Sequence, residues 1–245
     1  EFACVPGDWS YRGNSMICSR TINLPVRSVV SSTVNGHWRT GAGWCMTEIM
    51  YDGEEPYWTG NGNGPYRNKD ALHGYGTGWR AVSTTRSKIL NAGQHTVRYA
   101  ITASNADCWL NGSSLRGMAV PARPGTQEIS CVPGDWSYRG NREICSQTLN
   151  LQGESLIVAH INGHWRTGGW CMAEVLFPGE SQYSNGTSPY QNMDGLHGYP
   201  SSWQPITHIR SRMLGAGNQA IRYAVTESGG CWINGSSMHG FAIPR

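Results

Sequence analysis

The sequence predicts an all-β protein made of two homologous, disulfide-stapled β-sandwich or β-barrel modules in tandem. Three observations carry this: a long internal duplication, four cysteines in each copy, and short β-branched or aromatic runs between Gly- and Asn-rich turns. The duplication is plain. Cys4-Val-Pro-Gly-Asp-Trp-Ser-Tyr-Arg-Gly-Asn14 recurs unchanged at 131–141, and Asn35-Gly-His-Trp-Arg-Thr-Gly41 recurs at 162–168. Gly43-Trp-Cys-Met46 returns at 169–172. Asp70-Ala-Leu-His-Gly-Tyr75 answers to Asp194-Gly-Leu-His-Gly-Tyr199, and Cys108-Trp-Leu-Asn-Gly-Ser-Ser114 to Cys231-Trp-Ile-Asn-Gly-Ser-Ser237. The expected modules are 3–121 and 131–245, joined by a Pro- and Gly-bearing connector at 122–130.

Each module needs a staple, because a domain of this size buries a marginal core. The cysteines at 4, 18, 45 and 108 match those at 131, 145, 171 and 231, without the close C-x-x-C pairs of a zinc site. Three connectivities are open in each module. Turn residues between Cys4 and Cys18 favour a stapled hairpin, hence Cys4–Cys18 with Cys45–Cys108, and Cys131–Cys145 with Cys171–Cys231. Four bonds of this kind imply an oxidising compartment and a secreted, extracellular protein.

The strand runs are 29–34, 46–51, 96–102 and 116–120, with counterparts at 155–161, 172–177, 220–226 and 239–243. Asn35-Gly36 reads as a turn, and Asn111-Gly112 and Asn234-Gly235 as two-residue hairpin turns. No stretch of a dozen residues has helical amphipathicity. The long loops 52–68 and 178–192 are candidates for function. The chain starts without Met or a leader, which reads as a processed or engineered start. Glu1-Phe2, a dipeptide that a common restriction site encodes, is left out of the fold expectation.

Composition narrows the function. Charged residues are 14%, against roughly 25% in soluble domains. The net charge of +3 is too weak for the broad basic field of a nucleic-acid binder, so no nucleic-acid partner is expected. No apolar run is long enough to insert in a membrane. Trp and Tyr, at 11 each, far outnumber the 3 Phe. These rings present an apolar face with a polar handle.

The two copies differ in their core runs but keep their polar segments, which points to turn geometry or a ligand. His37, Trp38 and Arg39 set an imidazole, an indole and a guanidinium side by side. Asp70, His73 and Tyr75 add an acceptor, a second imidazole and another ring. A sugar has an apolar C–H face and a rim of hydroxyls, and this mixture suits it. The expected sites are therefore His37, Trp38, Arg39, Asp70, His73 and Tyr75 in the first module, and His164, Trp165, Arg166, Asp194, His197 and Tyr199 in the second. Tyr11, Arg12 and Asn14 are a second candidate group. The competing structural reading puts Trp38 and Trp44 in the core and pairs Arg39 with Glu48 or Asp70.

The sequence thus points to a bivalent carbohydrate-binding protein, a lectin with one site per module, whose partners are glycans or glycoproteins, with room for a homodimer. It needs no cofactor. A metal on His37, Asp70 and His73 has no diagnostic spacing. The alternatives are a secreted hydrolase of polysaccharide or nucleic acid, or an extracellular structural protein. For the hydrolase, Glu48 with Asp70 and Glu174 with Asp194 are the carboxylate pairs, and His37 with His73 the acid/base pair. No nucleophile elbow, H-E-x-x-H or phosphate loop is present, so an enzyme is not the expectation. Asn111, Asn185 and Asn234 begin N-x-[ST] triplets.

Overall fold

The computed structural model describes the chain except residues 7–9, 60–71, 105–107, 134–136 and 184–194; of His73 and Ser137 only the backbone is described. Asp8, Asp70, Asp194, Asn185 and much of both long loops lie outside the described residues. The chain forms two compact units, Glu1–Ala122 and Arg123–Arg245. The first holds β1 (Phe2–Cys4), β2 (Ser10–Arg12), β3 (Ser15–Leu24), β4 (Ser28–Thr40), β5 (Trp44–Met50), β6 (Leu72–Tyr75), β7 (Arg80–Leu90), β8 (Gly93–Ala103) and β9 (Cys108–Pro121). The second holds β10 (Gln127–Cys131), β11 (Ser137–Arg139), β12 (Arg142–Leu151), β13 (Ser155–Thr167), β14 (Trp170–Leu176), β15 (Leu196–Gly198), β16 (Gln204–Leu214), β17 (Gly217–Ser228) and β18 (Cys231–Pro244). The fold is all-β, in two similar halves.

Each half is a sandwich of two antiparallel sheets. In the first, one sheet runs β1-β9-β4-β7, with β2 also on β9, and the other runs β3-β8-β5-β6. The second half repeats this as β10-β18-β13-β16, with β11 on β18, and β12-β17-β14-β15. Residues from both sheets meet in one core. Val30, Val34, Trp38, Leu110 and Leu115 from one face Cys45, Ile49, Val97, Tyr99 and Ile101 from the other.

Several strands are longer than their apolar runs, and β3, β7, β12 and β16 have no run at all among those expected. All four are edge strands. Their sequences, such as Arg80-Ala-Val-Ser-Thr-Thr-Arg-Ser-Lys-Ile-Leu90, carry Ser, Thr, Arg and Lys where a central strand carries Val or Ile. Polar and basic residues on an edge discourage pairing with another chain, and they also erase the hydrophobic signal.

The Asn-Gly pairs correct the expectation of turns. Asn35-Gly36 lies inside β4, and Asn111-Gly112 inside β9. Asn35 faces Ser114 and His37 faces Asn111, so β9 carries one extra residue there. This is a β-bulge, and Gly112 supplies the left-handed φ of 52° it requires. The second half repeats it between Asn162 and His164, with Gly235 at φ 46°. Gly36 sits close to the same bulge, where a Cβ would lie a tight 3.0 Å from that of Ser113.

Two further expectations change. Residues 127–130, read as connector, belong to β10, which pairs with β18. Phe2, set aside as part of a scar, belongs to β1 opposite Gly117, where Ile129 stands opposite Gly240 in the second half. Both Phe2 and Ile129 are core residues.

Disulfides join Cys4 to Cys18, Cys45 to Cys108, Cys131 to Cys145 and Cys171 to Cys231. All four cross between the two sheets of their sandwich, so Cys4–Cys18 and Cys131–Cys145 tie β1 to β3 and β10 to β12 across the core and do not staple a hairpin, as the turn residues between them had suggested. No helix among the described residues is long and apolar enough to cross a membrane.

The corner after β5 is held by charge. Glu54 accepts from Arg86, from Lys88 Nζ at 2.9 Å and from the Tyr51 amide at 2.8 Å. Glu180 repeats the arrangement with Arg210, Arg212 at 2.9 Å and the Phe177 amide at 2.9 Å. Burial works to raise both carboxyls. The arginine and amide bonds outweigh it and hold both below their ordinary value. A carboxyl lowered by folding adds stability above its unfolded value and loses it as pH falls through the folded one. Unfolding midpoints should therefore drop as the solution is acidified below about pH 4.5, the usual glutamate value. Glu54→Gln with Glu180→Gln should be less stable at neutral pH and flatter on that acid limb. Denaturant titrations at several pH values check this; an unchanged acid limb overturns the assignment.

Candidate functional site

Alternation along β4 separates the expected site residues. Trp38 points inward and is 1% exposed, while His37 and Arg39 point outward and are exposed. In the second half Trp165 is likewise core, His164 is buried and Arg166 is half-buried. Trp38 and Trp165 are therefore walls of the core and present no face to a ligand. Their neighbours explain why two shared segments go together. A Cβ on Gly74 would lie 2.2 Å from Trp38 Cζ2, and one on Gly198 would lie 2.9 Å from Trp165 Cζ2. Each glycine of the His-Gly-Tyr segment makes room for the indole of the other segment. Thr40 completes the join, its amide donating to the Gly76 carbonyl at 2.7 Å and its hydroxyl accepting from the Gly76 amide at 3.0 Å. Thr167 donates to the Pro200 carbonyl at 2.7 Å in the second half.

Two aromatic surfaces result in each half. The first is an edge row on the four-stranded sheet. In the second half the Tyr183 ring meets Trp170 edge-on at 5.9 Å, Trp170 lies 5.4 Å from His197, and His197 meets Tyr199 edge-on at 5.1 Å. His197 and Tyr199 are exposed, Tyr199 by 70%. In the first half Trp44 and Tyr57 repeat the edge-on contact at 5.9 Å. Register sets Tyr75 opposite Trp44 and His73 opposite Met46. Tyr75 is half-buried, and burial pushes its hydroxyl above the ordinary tyrosine value.

The second surface is a stacked row on the five-stranded sheet. Register places Arg12, Trp109 and Arg39 side by side on β2, β9 and β4. The Arg12 guanidinium lies over Trp109 at 4.7 Å, and Arg39 lies between Trp79 at 5.2 Å and Trp109 at 5.4 Å. The second half repeats it. Arg166 lies 5.0 Å from both Trp203 and Trp232, and Arg139 stacks on Trp232 at 3.0 Å. His164 stacks on Trp203 at 4.7 Å. Trp79 and Trp203 are missing from the sequence expectation. Their signal is a Trp four residues after each His-Gly-Tyr tyrosine.

Glu48, Glu174, Asn14 and Asn141 are tied to backbone and side-chain groups of the fold. Glu48 and Glu174 are buried. Glu48 accepts from the Tyr57 amide at 3.1 Å and from the Thr102 hydroxyl, and Glu174 from the Tyr183 amide at 3.2 Å and the Thr226 hydroxyl at 2.6 Å. They anchor the chain after β5 and β14. Asn14 and Asn141 accept from the Ala103 and Glu227 amides at 2.8 and 2.6 Å. No group of three metal-ligating side chains occurs among the described residues.

No family model matches the chain. No curated protein matches it. Among solved structures it is similar, at 9% identity, to the N-terminal tandem CBM22 domain of Xyn10C from Paenibacillus barcinonensis, covering 96% of this chain and 92% of that one with a TM-score of 0.26. It is also similar, at 9% identity, to the tandem CBM51 modules of a family 98 glycoside hydrolase from Streptococcus pneumoniae, covering 94% and 85% with a TM-score of 0.22. Likeness this distant carries no argument about what the protein binds.

The glycine–tryptophan contact makes its own prediction. Gly74→Ala should destabilise the first half by about 1–3 kcal/mol, the usual cost of overpacking a core, and Gly198→Ala should cost less because its contact is longer. Chemical unfolding of the full chain checks the order; a neutral Gly74→Ala would mean that Trp38 is free to move.

Proposed function

We propose that the protein is a secreted, bivalent carbohydrate-binding protein with one saccharide site per half on the edge row. One observation carries this reading: Tyr199 presents a ring that is 70% exposed yet braced by His197, which in turn lies against Trp170. A braced, exposed ring is a preformed platform for the C–H face of a sugar, and the imidazole beside it supplies a hydrogen bond to a hydroxyl. His73 and Tyr75 are the counterparts in the first half. Two linked weak sites gain about 10²–10⁴ in avidity on a multivalent surface, which gives the duplication a purpose. Four disulfides support an extracellular location. Burial and full use of Glu48 and Glu174 support binding without turnover.

A glycan array identifies the saccharide, and titration with its monovalent form counts the sites. Tyr199→Ala should weaken the second site roughly tenfold, about 1.4 kcal/mol, and leave the first unchanged. Tyr75→Ala should do the converse. With both changed, agglutination should be lost while the circular dichroism stays native. Wild-type affinity in the double variant, or release of cleaved glycan, overturns the reading.

A further inference from the structure

The stacked row on the five-stranded sheet is separate from the edge row and asks for a different ligand. Its arginines are the distinguishing feature. Arg86, Arg210 and Arg212 spend their charge on Glu54 and Glu180. Arg39, Arg139 and Arg166 have no carboxylate within ion-pair distance among the described residues, and the Arg166 Nε is buried without a partner. A contact with an indole face leaves the guanidinium charge unneutralised. Its fork of N–H donors suits bidentate bonds to a planar or tetrahedral oxyanion. The same row is built twice, from identical registers.

We infer that each Arg/Trp row binds an anionic group, a sulfate or carboxylate, of an acidic polysaccharide. The anion chemistry follows from the row alone; the polysaccharide rests on the saccharide reading above. A nucleic acid fits less well. Trp109 and Trp232 each already hold two guanidinium groups within 5.4 Å of the ring centroid, and these compete with a base for the same rings. Two arginines per row also suit isolated anionic groups better than a continuous phosphate backbone.

The test uses the full chain with four probes: dextran sulfate, neutral dextran, inorganic sulfate and a thymidine oligonucleotide. Dextran sulfate should bind, with an affinity that falls steeply as salt is raised, and neutral dextran should not bind at this row. Arg39→Gln with Arg166→Gln should weaken dextran sulfate at least tenfold. Arg39→Lys with Arg166→Lys keeps the charge but not the flat N–H edge, and should lose most of the same affinity. Should either pair fail to fold, Arg12→Gln with Arg139→Gln at the outer end of the rows gives the same readout. Tyr75→Ala with Tyr199→Ala should leave dextran sulfate binding intact, so failure of the edge-row reading and failure of this one are told apart. Wild-type affinity for dextran sulfate in the folded Gln variants overturns the site. Equal affinity for inorganic sulfate, group for group, or tighter binding of the oligonucleotide overturns the polysaccharide.

Discussion

The contact of Trp38 with Gly74 is the constraint on which the first half depends, and Trp165 with Gly198 does the same for the second. It sits where the two sheets close on one another. Thr40 faces Cys108 in one sheet, Cys45 faces Gly74 in the other, and the Cys45–Cys108 disulfide joins the two pairs. An indole, a glycine, a threonine and a disulfide thus lock one end of the sandwich together. A Cβ at 74 would overlap the indole, so the close packing at this end leaves room there for glycine alone.

This closure also builds both candidate surfaces. With Trp38 turned inward, alternation turns His37 and Arg39 outward on β4, where Arg39 meets Trp109 from β9 and Trp79 from the approach to β7. With Gly74 under the indole, His73 and Tyr75 flank it on β6, and Tyr75 comes opposite Trp44. Identical polar segments in the two halves are therefore explained in part by packing. Glycine and tryptophan are kept for each other, and the residues between them are carried to the surface by the period of the strand. A second lock, Glu54 with Arg86 and Lys88 or Glu180 with Arg210 and Arg212, fixes the corner after β5 and β14. There the charge is fully used, which sets off the arginines of the stacked rows.

Several misreadings of the sequence share one cause. Asn-Gly marks a left-handed glycine, and a hairpin turn and a bulge both require one. Only the partner strand distinguishes them, and β4 opposite β9 makes it a bulge. His37, Trp38 and Arg39 form one group in sequence, whereas adjacent residues on a strand point to opposite faces. Trp79 and Trp109 are hidden in the sequence for the converse reason. They are remote in sequence from Arg39 and meet it only across strands.

What the sequence determined by itself is the part written in local or repeated signals. The duplication fixes two like halves. Matched cysteines fix the need for staples, and β-branched runs between glycine turns fix an all-β class. Those features survive any choice of register, because they rest on chain composition and period. Tertiary structure alone decided which faces of β4 and β13 look inward, which residues form rows, and which charges are paired. Those are set by cross-strand register and sheet-on-sheet packing, where shifting one residue exchanges the buried face for the exposed one. A single chain read in order does not contain that choice until its strands have found their neighbours.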